Sequence, residues 1–321
     1  MEKLNLLVIA PPELPHLRTL KRLPDSINVQ IGNDSDFLTA AAGEADIVLN
    51  AWLSGRELRA LWPFLTKIRW VHNLSAGVEH VLTPEAIASP VPLTNGRGVF
   101  ADSLGEFVLG AIFFFAKDFR RMLKNQQAGR WEPFDVEWVR GKTLGIVGFG
   151  AIGREAARLA RGVGMNILAV RRRPEEGDNE PAHEVFSPER LQEMLARCDY
   201  VAVAAALTNE TRGLIGEREL AAMKRTAVLM NVGRGPVIVE SALIRALRQG
   251  LLRGAALDVF DREPLPDGHP FYQMENVLLS PHTGDHTAGW VELAMDVFFE
   301  NFEHFTKGEP LVNIVDKSAG Y

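Results

Sequence analysis

Cysteine is nearly absent. Cys198 is the single one among 321 residues. No internal disulfide can form, which excludes a disulfide-stapled scaffold and fits a reducing compartment. The expected role of Cys198 is that of a small buried hydrophobe near a strand. Long apolar runs are missing too. The longest, FVLGAIFFFA (Phe107–Ala116), has ten residues between Glu106 and Lys117, too few to span a bilayer. The opening MEKLNLLVIAPP has too short an apolar run for a signal peptide, with prolines right behind it. A basic excess is lacking as well. Lys and Arg number 35 against 41 Asp and Glu, and a net charge of −6 argues against a broad nucleic-acid-binding surface. Tandem repeats and low-complexity tracts do not occur. The remaining composition, 46% hydrophobic and 24% charged, is that of a globular protein with no membrane contact, expected in the cytoplasm. The length suffices for two domains, each with its own core.

Short apolar runs alternate with helix-compatible segments along the chain. LNLLVIA, DIVLNAW, IRWVHNL and VPLTN read as strands in the first hundred residues. The stretches around Leu14–Leu23, Ser35–Ala42, Arg56–Leu61 and Pro84–Ser89 read as helices or turns between them. A long helical stretch, roughly Ala101 to Gln127, follows. RWEPFDVEWVRGK then reads as a loop. From Thr143 a second alternation begins, with TLGIVGF, NILAV, YVAVAAAL, AVLMNV, AALDVF and NVLLSP as its strands. Alternation of this kind argues for parallel sheets with helices on their faces. Ala288–Lys307 is helical in pattern, and its pattern alone does not say which unit it packs on.

The run TLGIVGFGAIGREAARLA contains Gly148-x-Gly150-x-x-Gly153, placed after a predicted strand and at the start of a predicted helix. Gly148 permits a tight turn, Gly150 admits a pyrophosphate close to the backbone, and Gly153 lets helix and strand approach. The residues Gly148, Phe149, Gly150, Ala151, Ile152 and Gly153 are therefore the expected seat of a dinucleotide, whose phosphates face the free N–H groups of the helix start. The next strand, NILAV, runs into Arg171-Arg172-Arg173 where such folds usually carry an acid that bonds the adenosine ribose. A carboxylate there would repel a 2′-phosphate by about 4 kcal/mol at 4 Å and an effective dielectric near 20, less when solvated. Arginine removes that repulsion and offers a bidentate partner. The three arginines thus predict NADP(H) as the preferred cofactor, with NAD(H) as the alternative.

Three later segments carry chemistry: NVGRGPVIVE (Asn231–Glu240), ALDVFDREPLP (Ala256–Pro266) and LLSPHTGD (Leu278–Asp285). With GKTLGIVGFGAIG, LSAGVEH (Leu74–His80) and the tail KGEPLVNIVD, they make the chain similar over nearly its whole length to the D-isomer-specific 2-hydroxyacid dehydrogenase family. The resemblance implies a catalytic trio. Arg234 would bind the substrate carboxylate and polarise the neighbouring carbonyl. His282 would protonate the carbonyl oxygen, and Glu263 would orient its ring and favour its charged form. Val232, Gly233 and Asp258 would line the cofactor, Asp258 by orienting the nicotinamide carboxamide. The turn Ser75-Ala76-Gly77 would offer N–H groups to the substrate carboxylate.

The resemblance further implies an α/β protein of two doubly wound parallel-sheet domains. Residues 1–97 and 288–321 would form a flavodoxin-like substrate domain, and 98–287 a Rossmann-type cofactor domain, with the active site in the cleft between them. It implies a homodimer through the cofactor domain, for which the aromatic-rich helix Leu104–Phe119 is the candidate contact. The activity implied is NADPH-preferring reduction of a small 2-keto acid such as glyoxylate or hydroxypyruvate. The alternatives are an NAD-dependent enzyme acting on a larger 2-hydroxy acid and a nucleotide-sensing relative without turnover. Trp52, Phe100, Trp138 and Trp290 are candidates to shape the pocket. Two departures stand out. Ala204 and Ala206 replace the histidine and proline often found in that strand exit, and Asp285 stands where small apolar residues are usual. His286, four residues after His282, lacks the helical glutamate-bearing pattern of a zinc pair, so no metal is expected.

Overall fold

The computed structural model describes residues 3–52, 55–175 and 179–321. The chain divides into two units, one made of the residues up to Phe100 together with Ala288–Tyr321, the other of Ala101–Thr287.

The first unit holds five strands, β1 (Asn5–Ile9), β2 (Asn28–Gly32), β3 (Ile47–Asn50), β4 (Trp70–Asn73) and β5 (Leu93–Asn95). They pair in parallel in the order β2-β1-β3-β4-β5, the flavodoxin-like order. Helices α1 (Ser35–Ala42), α2 (Arg56–Leu61) and α3 (Pro84–Ala88) connect them. Asp34 starts α1 by accepting the N–H groups of Asp36 and Phe37, and Thr83 starts α3 by accepting that of Ala86. The stretch Leu14–Leu23 contains a 3-10 helix, Pro15–Arg22. Strand β2 was not among the expected strands. Its sequence NVQIG alternates at a sheet edge instead of forming an apolar run.

β1, β3 and β4 are covered on both faces, and their side chains alternate between two cores. Leu6, Val8, Ile47, Leu49 and Trp70 enter one, and Leu7, Ile9, Val48 and Val71 the other. The last helix, Trp290–Lys307, closes the first core. Its Phe298 stacks on Trp70 with ring centroids 5.4 Å apart and an interplanar angle of 11°.

His72 lies at the centre of this unit. Trp70 Nε1–H donates to Thr94 Oγ1 at 2.8 Å, and Thr94 Oγ1 meets His72 Nδ1 at 2.8 Å. Complete burial pushes the His72 imidazole down to about 3. An unfolded chain titrates this residue near 6.5. Between those values the unfolded state binds the extra proton, so stability is complete above pH 6.5 and is lost as pH falls toward 3. In urea titrations the wild type should lose about 1.4 kcal/mol per pH unit more than His72→Asn between pH 6 and 4. Equal slopes would show that His72 does not titrate on unfolding.

The second unit begins with α4 (Ala101–Ala116) and α5 (Phe119–Gln127). The expected single helix is broken between them because Asp118 adopts φ 50°; its side chain then accepts the Arg121 N–H. The strands are β6 (Thr143–Val147), β7 (Asn166–Val170), β8 (Glu184–Phe186), β9 (Tyr200–Val203), β10 (Val228–Asn231), β11 (Gly254–Leu257) and β12 (Val277–Leu279). All pair in parallel in the order β12-β11-β10-β9-β6-β7-β8. This is the Rossmann order with one strand added, and it reverses between β6 and β9, where such sheets open a crevice at their carboxyl ends. β8 is a three-residue edge strand, too short to stand out in the sequence. Helices α6 (Ala151–Gly162), α7 (Leu191–Arg197), α8 (Glu217–Ala222) and α9 (Glu240–Arg248) pack on the sheet.

α4 lies against α6 at Gly105, where a Cβ would come within 2.8 Å of Glu155 Cγ. Cys198 is fully buried, its Sγ bonded to the Met194 carbonyl, and burial pushes the thiol up to about 12. No helix among the described residues is long and apolar enough to cross a membrane.

Candidate active site

β6 leads straight into the glycine turn. Gly148 has φ 96°, and a Cβ there would lie 2.6 Å from the backbone of Ala205. Gly153 sits on the Gly148 carbonyl oxygen, with no room for a side chain. Gly150 differs from both. It starts α6, and a Cβ built on it would meet nothing within 4 Å. N–H groups 151–153, at the same helix start, have no partner within the helix because its first bond runs from Arg154 N–H to Gly150. Phe149 is buried beneath the Arg154 guanidinium, 4.8 Å from the ring centroid. Open space at Gly150 and free N–H donors at the same helix start are what a pyrophosphate needs.

β7 ends at Val170, and Arg171 follows. Its N–H donates to the Phe186 carbonyl at 3.1 Å and its guanidinium reaches Asn179 Oδ1 at 3.4 Å, leaving the residue half-buried. Arg172 and Arg173 are exposed. Arg172 lies close enough to Glu210 for its charge to act on that carboxylate.

β10 ends at Asn231, which is buried and shapes the next turn. Its Oδ1 accepts the Gly233 N–H at 3.1 Å and its Nδ2 donates to the Arg234 carbonyl at 3.1 Å. Val232 is buried, and Gly233 rests on Ala205, its would-be Cβ 2.7 Å from that carbonyl oxygen. Arg234 donates from Nη1 to the Gly233 carbonyl at 2.8 Å.

The acid and the histidine meet across the next loops. His282 Nδ1 lies 2.6 Å from Glu263 Oε2, and Glu263 Oε1 accepts the Phe260 N–H at 2.9 Å. Burial pushes Glu263 up, but the His282 contact, the Phe260 N–H and the charge of Arg234 together hold it below the usual carboxylate range. The Glu263 hydrogen bond raises His282 above the ordinary imidazole value, against burial and against the Arg234 charge. The imidazolium is thereby favoured, which suits a proton donor.

His282 has a left-handed backbone, φ 56°, held by Asp258. Asp258 is buried at the end of β11. Its Oδ1 accepts from Ser280 Oγ at 2.6 Å and from the N–H groups of Thr283 and Gly284 at 3.0 Å each. Asp285 is raised by burial, with the charges of His286 and His282 opposing.

In the first unit, Ser75-Ala76-Gly77 follows β4. Asn73 Nδ2 donates to the carbonyls of Ser75 and Gly77 at 3.0 Å, and Asn95 Nδ2 to that of Ala76 at 2.6 Å. In a trans peptide the N–H points opposite to the carbonyl, so the N–H groups of Ala76, Gly77 and Val78 point away from these amides. That arrangement can hold an anion. Of the aromatic candidates, Phe100 is buried against Trp290 with centroids 5.8 Å apart. Trp52 is on the margin of exposure, and Trp138 is 80% exposed.

Sequence reasoning missed the asparagines. Asn73, Asn95 and Asn231 each end a strand and each tie down a turn carrying a candidate residue. The repeated endings WVHN, LTN and LMN were the available signal.

A glycine cradle at a Rossmann switch point, with an acid-paired histidine and an arginine on neighbouring strand ends, defines a dinucleotide-dependent oxidoreductase. Residues 109–284 match the model for the D-isomer specific 2-hydroxyacid dehydrogenase, NAD binding domain. A glyoxylate reductase of Pyrococcus horikoshii is 30% identical over 321 residues, covering 96% of this chain and 95% of its own. One from Thermococcus gammatolerans is 35% identical over 262 residues, 79% of this chain and 78% of its own. A D-isomer specific 2-hydroxyacid dehydrogenase of Xanthobacter autotrophicus, solved with NADPH and MES, superposes with a TM-score of 0.86 at 29% identity, covering 100% of both chains. An NADPH-dependent glyoxylate/hydroxypyruvate reductase of Sinorhizobium meliloti, solved with NADP and sulfate, gives a TM-score of 0.86 at 26% identity, over 99% of this chain and 100% of its own. The chain belongs to the D-isomer specific 2-hydroxyacid dehydrogenase family and is an NAD(P)-dependent oxidoreductase.

Proposed function

We propose that the protein reduces small 2-keto acids of the glyoxylate or hydroxypyruvate type to D-2-hydroxy acids, with NADPH preferred over NADH. The observation that carries this reading is the 2.6 Å pairing of His282 Nδ1 with Glu263, under the charge of Arg234. The names of the relatives, glyoxylate reductases among the sequences and an NADP complex among the structures, agree with it.

The reduced nicotinamide supplies the hydride when bound. His282 supplies the proton. Its Nδ1 is committed to Glu263, so Nε2 is the ring nitrogen that faces a carbonyl oxygen. Glu263 holds the ring in one orientation and stabilises its charge. Arg234 offers a planar fork to the substrate carboxylate and polarises the adjacent carbonyl. The Ser75-Ala76-Gly77 turn of the first unit is assigned to anion binding through its N–H groups. Gly148 to Gly153 hold the pyrophosphate, with Val232 and Gly233 beside it. Asp258 serves the cofactor side and at the same time anchors the His282 loop.

Cofactor choice is assigned to Arg171, Arg172 and Arg173. The expected result is a kcat/KM for glyoxylate or hydroxypyruvate at least about tenfold higher with NADPH than with NADH, equivalent to about 1.4 kcal/mol. Arg171→Asp should move the ratio toward NADH. An unchanged ratio would assign the phosphate to Arg172 or Arg173, and an NADH preference in the wild type would reduce all three to a solvated turn. No turnover with either cofactor would point to a larger keto acid.

A homodimer through the second unit completes this reading. α4 buries Leu104, Val108 and Ile112 within its own unit. Phe107, Leu109, Phe113 and Phe114 of the same helix stay partly exposed, and α5 with the following loop adds Leu123, 54% exposed, and Trp131, 97% exposed. The buried, unreactive Cys198 is compatible with a cytoplasmic setting.

A further inference from the structure

A second histidine–glutamate pair is tied to the loop that carries Glu263. His269 Nε2 is 3.1 Å from Glu240 Oε1, and both side chains are more enclosed, at 14% and 22% exposure, than His282 and Glu263 at 40% and 35%. His269 Nδ1 accepts the Phe271 N–H at 3.4 Å, so Nε2 carries the proton toward Glu240 in the neutral ring. The other oxygen of Glu240, Oε2, accepts the Asp261 N–H at 3.3 Å.

Asp261 is the residue after Phe260, whose own N–H holds Glu263 Oε1 at 2.9 Å. The peptide between them is pinned from a third side. Gly235, next to Arg234, lies so close that a Cβ there would fall inside the Phe260 carbonyl group and 2.5 Å from Asp261 N. One short stretch of backbone therefore carries two side-chain hydrogen bonds, Glu240 on Asp261 and Glu263 on Phe260, and has the Arg234 turn packed against the peptide between them.

We propose that Glu240 and His269 are positioning residues for the acid-base pair: they fix the Phe260–Asp261 backbone from which the Glu263 carboxylate is aligned on His282. The catalytic importance of this rests on the function proposed above; the alignment itself does not. A glutamine at 240 keeps the size but has one acceptor oxygen for two N–H donors, so one of them is left facing an NH₂. A phenylalanine at 269 keeps ring packing on Phe271, 4.9 Å away, and removes the donor.

The test follows the His282 imidazole by proton NMR titration, a readout that needs no turnover. The charged groups that act on that ring are Glu263, Arg234, Asp258 and Asp285, and none is altered in either single variant. In Glu240→Gln and in His269→Phe the His282 pKa should fall by about half a unit or more, as alignment with Glu263 loosens. kcat should fall about tenfold with KM for the keto acid within about twofold. In a Glu263→Gln background, Glu240→Gln should move the titration no further, because its effect passes through Glu263. A His282 titration unmoved in both folded variants would overturn the proposal, as would an equal shift with Glu263 already replaced. A shifted titration with unchanged kcat would uphold the alignment and remove His282 from the proton transfer. Should one of the two variants fail to fold, the other decides alone.

Discussion

Replacing His282 with alanine should lower kcat for keto-acid reduction by about 10²–10⁴-fold, the usual size for loss of a general acid. Two of the neighbouring carboxylates are already engaged. Asp258 spends its Oδ1 on Ser280, Thr283 and Gly284, and Glu263 spends one oxygen on the Phe260 N–H. The pH dependence has a definite sign. Glu263 raises His282, so the protonated donor persists above the ordinary histidine value. Reduction is then full at low pH and falls as pH rises through the raised value, while oxidation of the hydroxy acid runs the opposite way. His282→Ala should flatten that limb in both directions. A loss smaller than tenfold, or a retained limb, would mean that another group delivers the proton.

Arg234→Ala should remove turnover by about 10²–10³-fold or more, the scale for losing a charge that acts on the reacting oxygen. Dinucleotide affinity, read by fluorescence, should stay near that of the wild type, because the glycine cradle is built by a different strand. KM should rise together with the fall in kcat if, as proposed, one side chain serves both the carboxylate and the carbonyl. Arg234→Lys should recover only part of the loss: a point charge replaces a planar fork. A second consequence separates this variant from a simple binding defect. Arg234 pushes His282 downward, so its removal should carry the alkaline limb of any residual activity to higher pH. Near-normal kinetics would take Arg234 out of the mechanism.

The central strands and the glycine turn were legible in the sequence because burial writes itself as apolar runs and close approach as glycine. Ile47–Asn50, Thr143–Val147 and Val228–Asn231 are covered on both faces and read as largely apolar runs. The edges were not legible. Asn28–Gly32 is half solvated and Glu184–Phe186 has only three residues. The break at Asp118 was hidden because an aspartate in left-handed conformation leaves no mark in helical periodicity. In the site, the residue types with obvious chemistry could be picked out, while their supports could not. Asn73, Asn95 and Asn231 act through carboxamide contacts with turn backbone, and Glu240 and His269 act through a loop. Each depends on a partner far away in sequence or on a turn geometry, and no spacing rule announces either.

Ala205 has a consequence for how this protein can change. The Gly148 turn and the Gly233 turn both rest on its backbone, one within 2.6 Å and the other within 2.7 Å of where a side chain would begin. The cofactor loop and the arginine loop thus share one floor. A substitution that lifts either glycine off Ala205 shifts that floor for both turns at once. Libraries that randomise either glycine alone should return mostly the parent residue. Variants with new specificity should come from the side chains that project from the loops, with the floor kept intact.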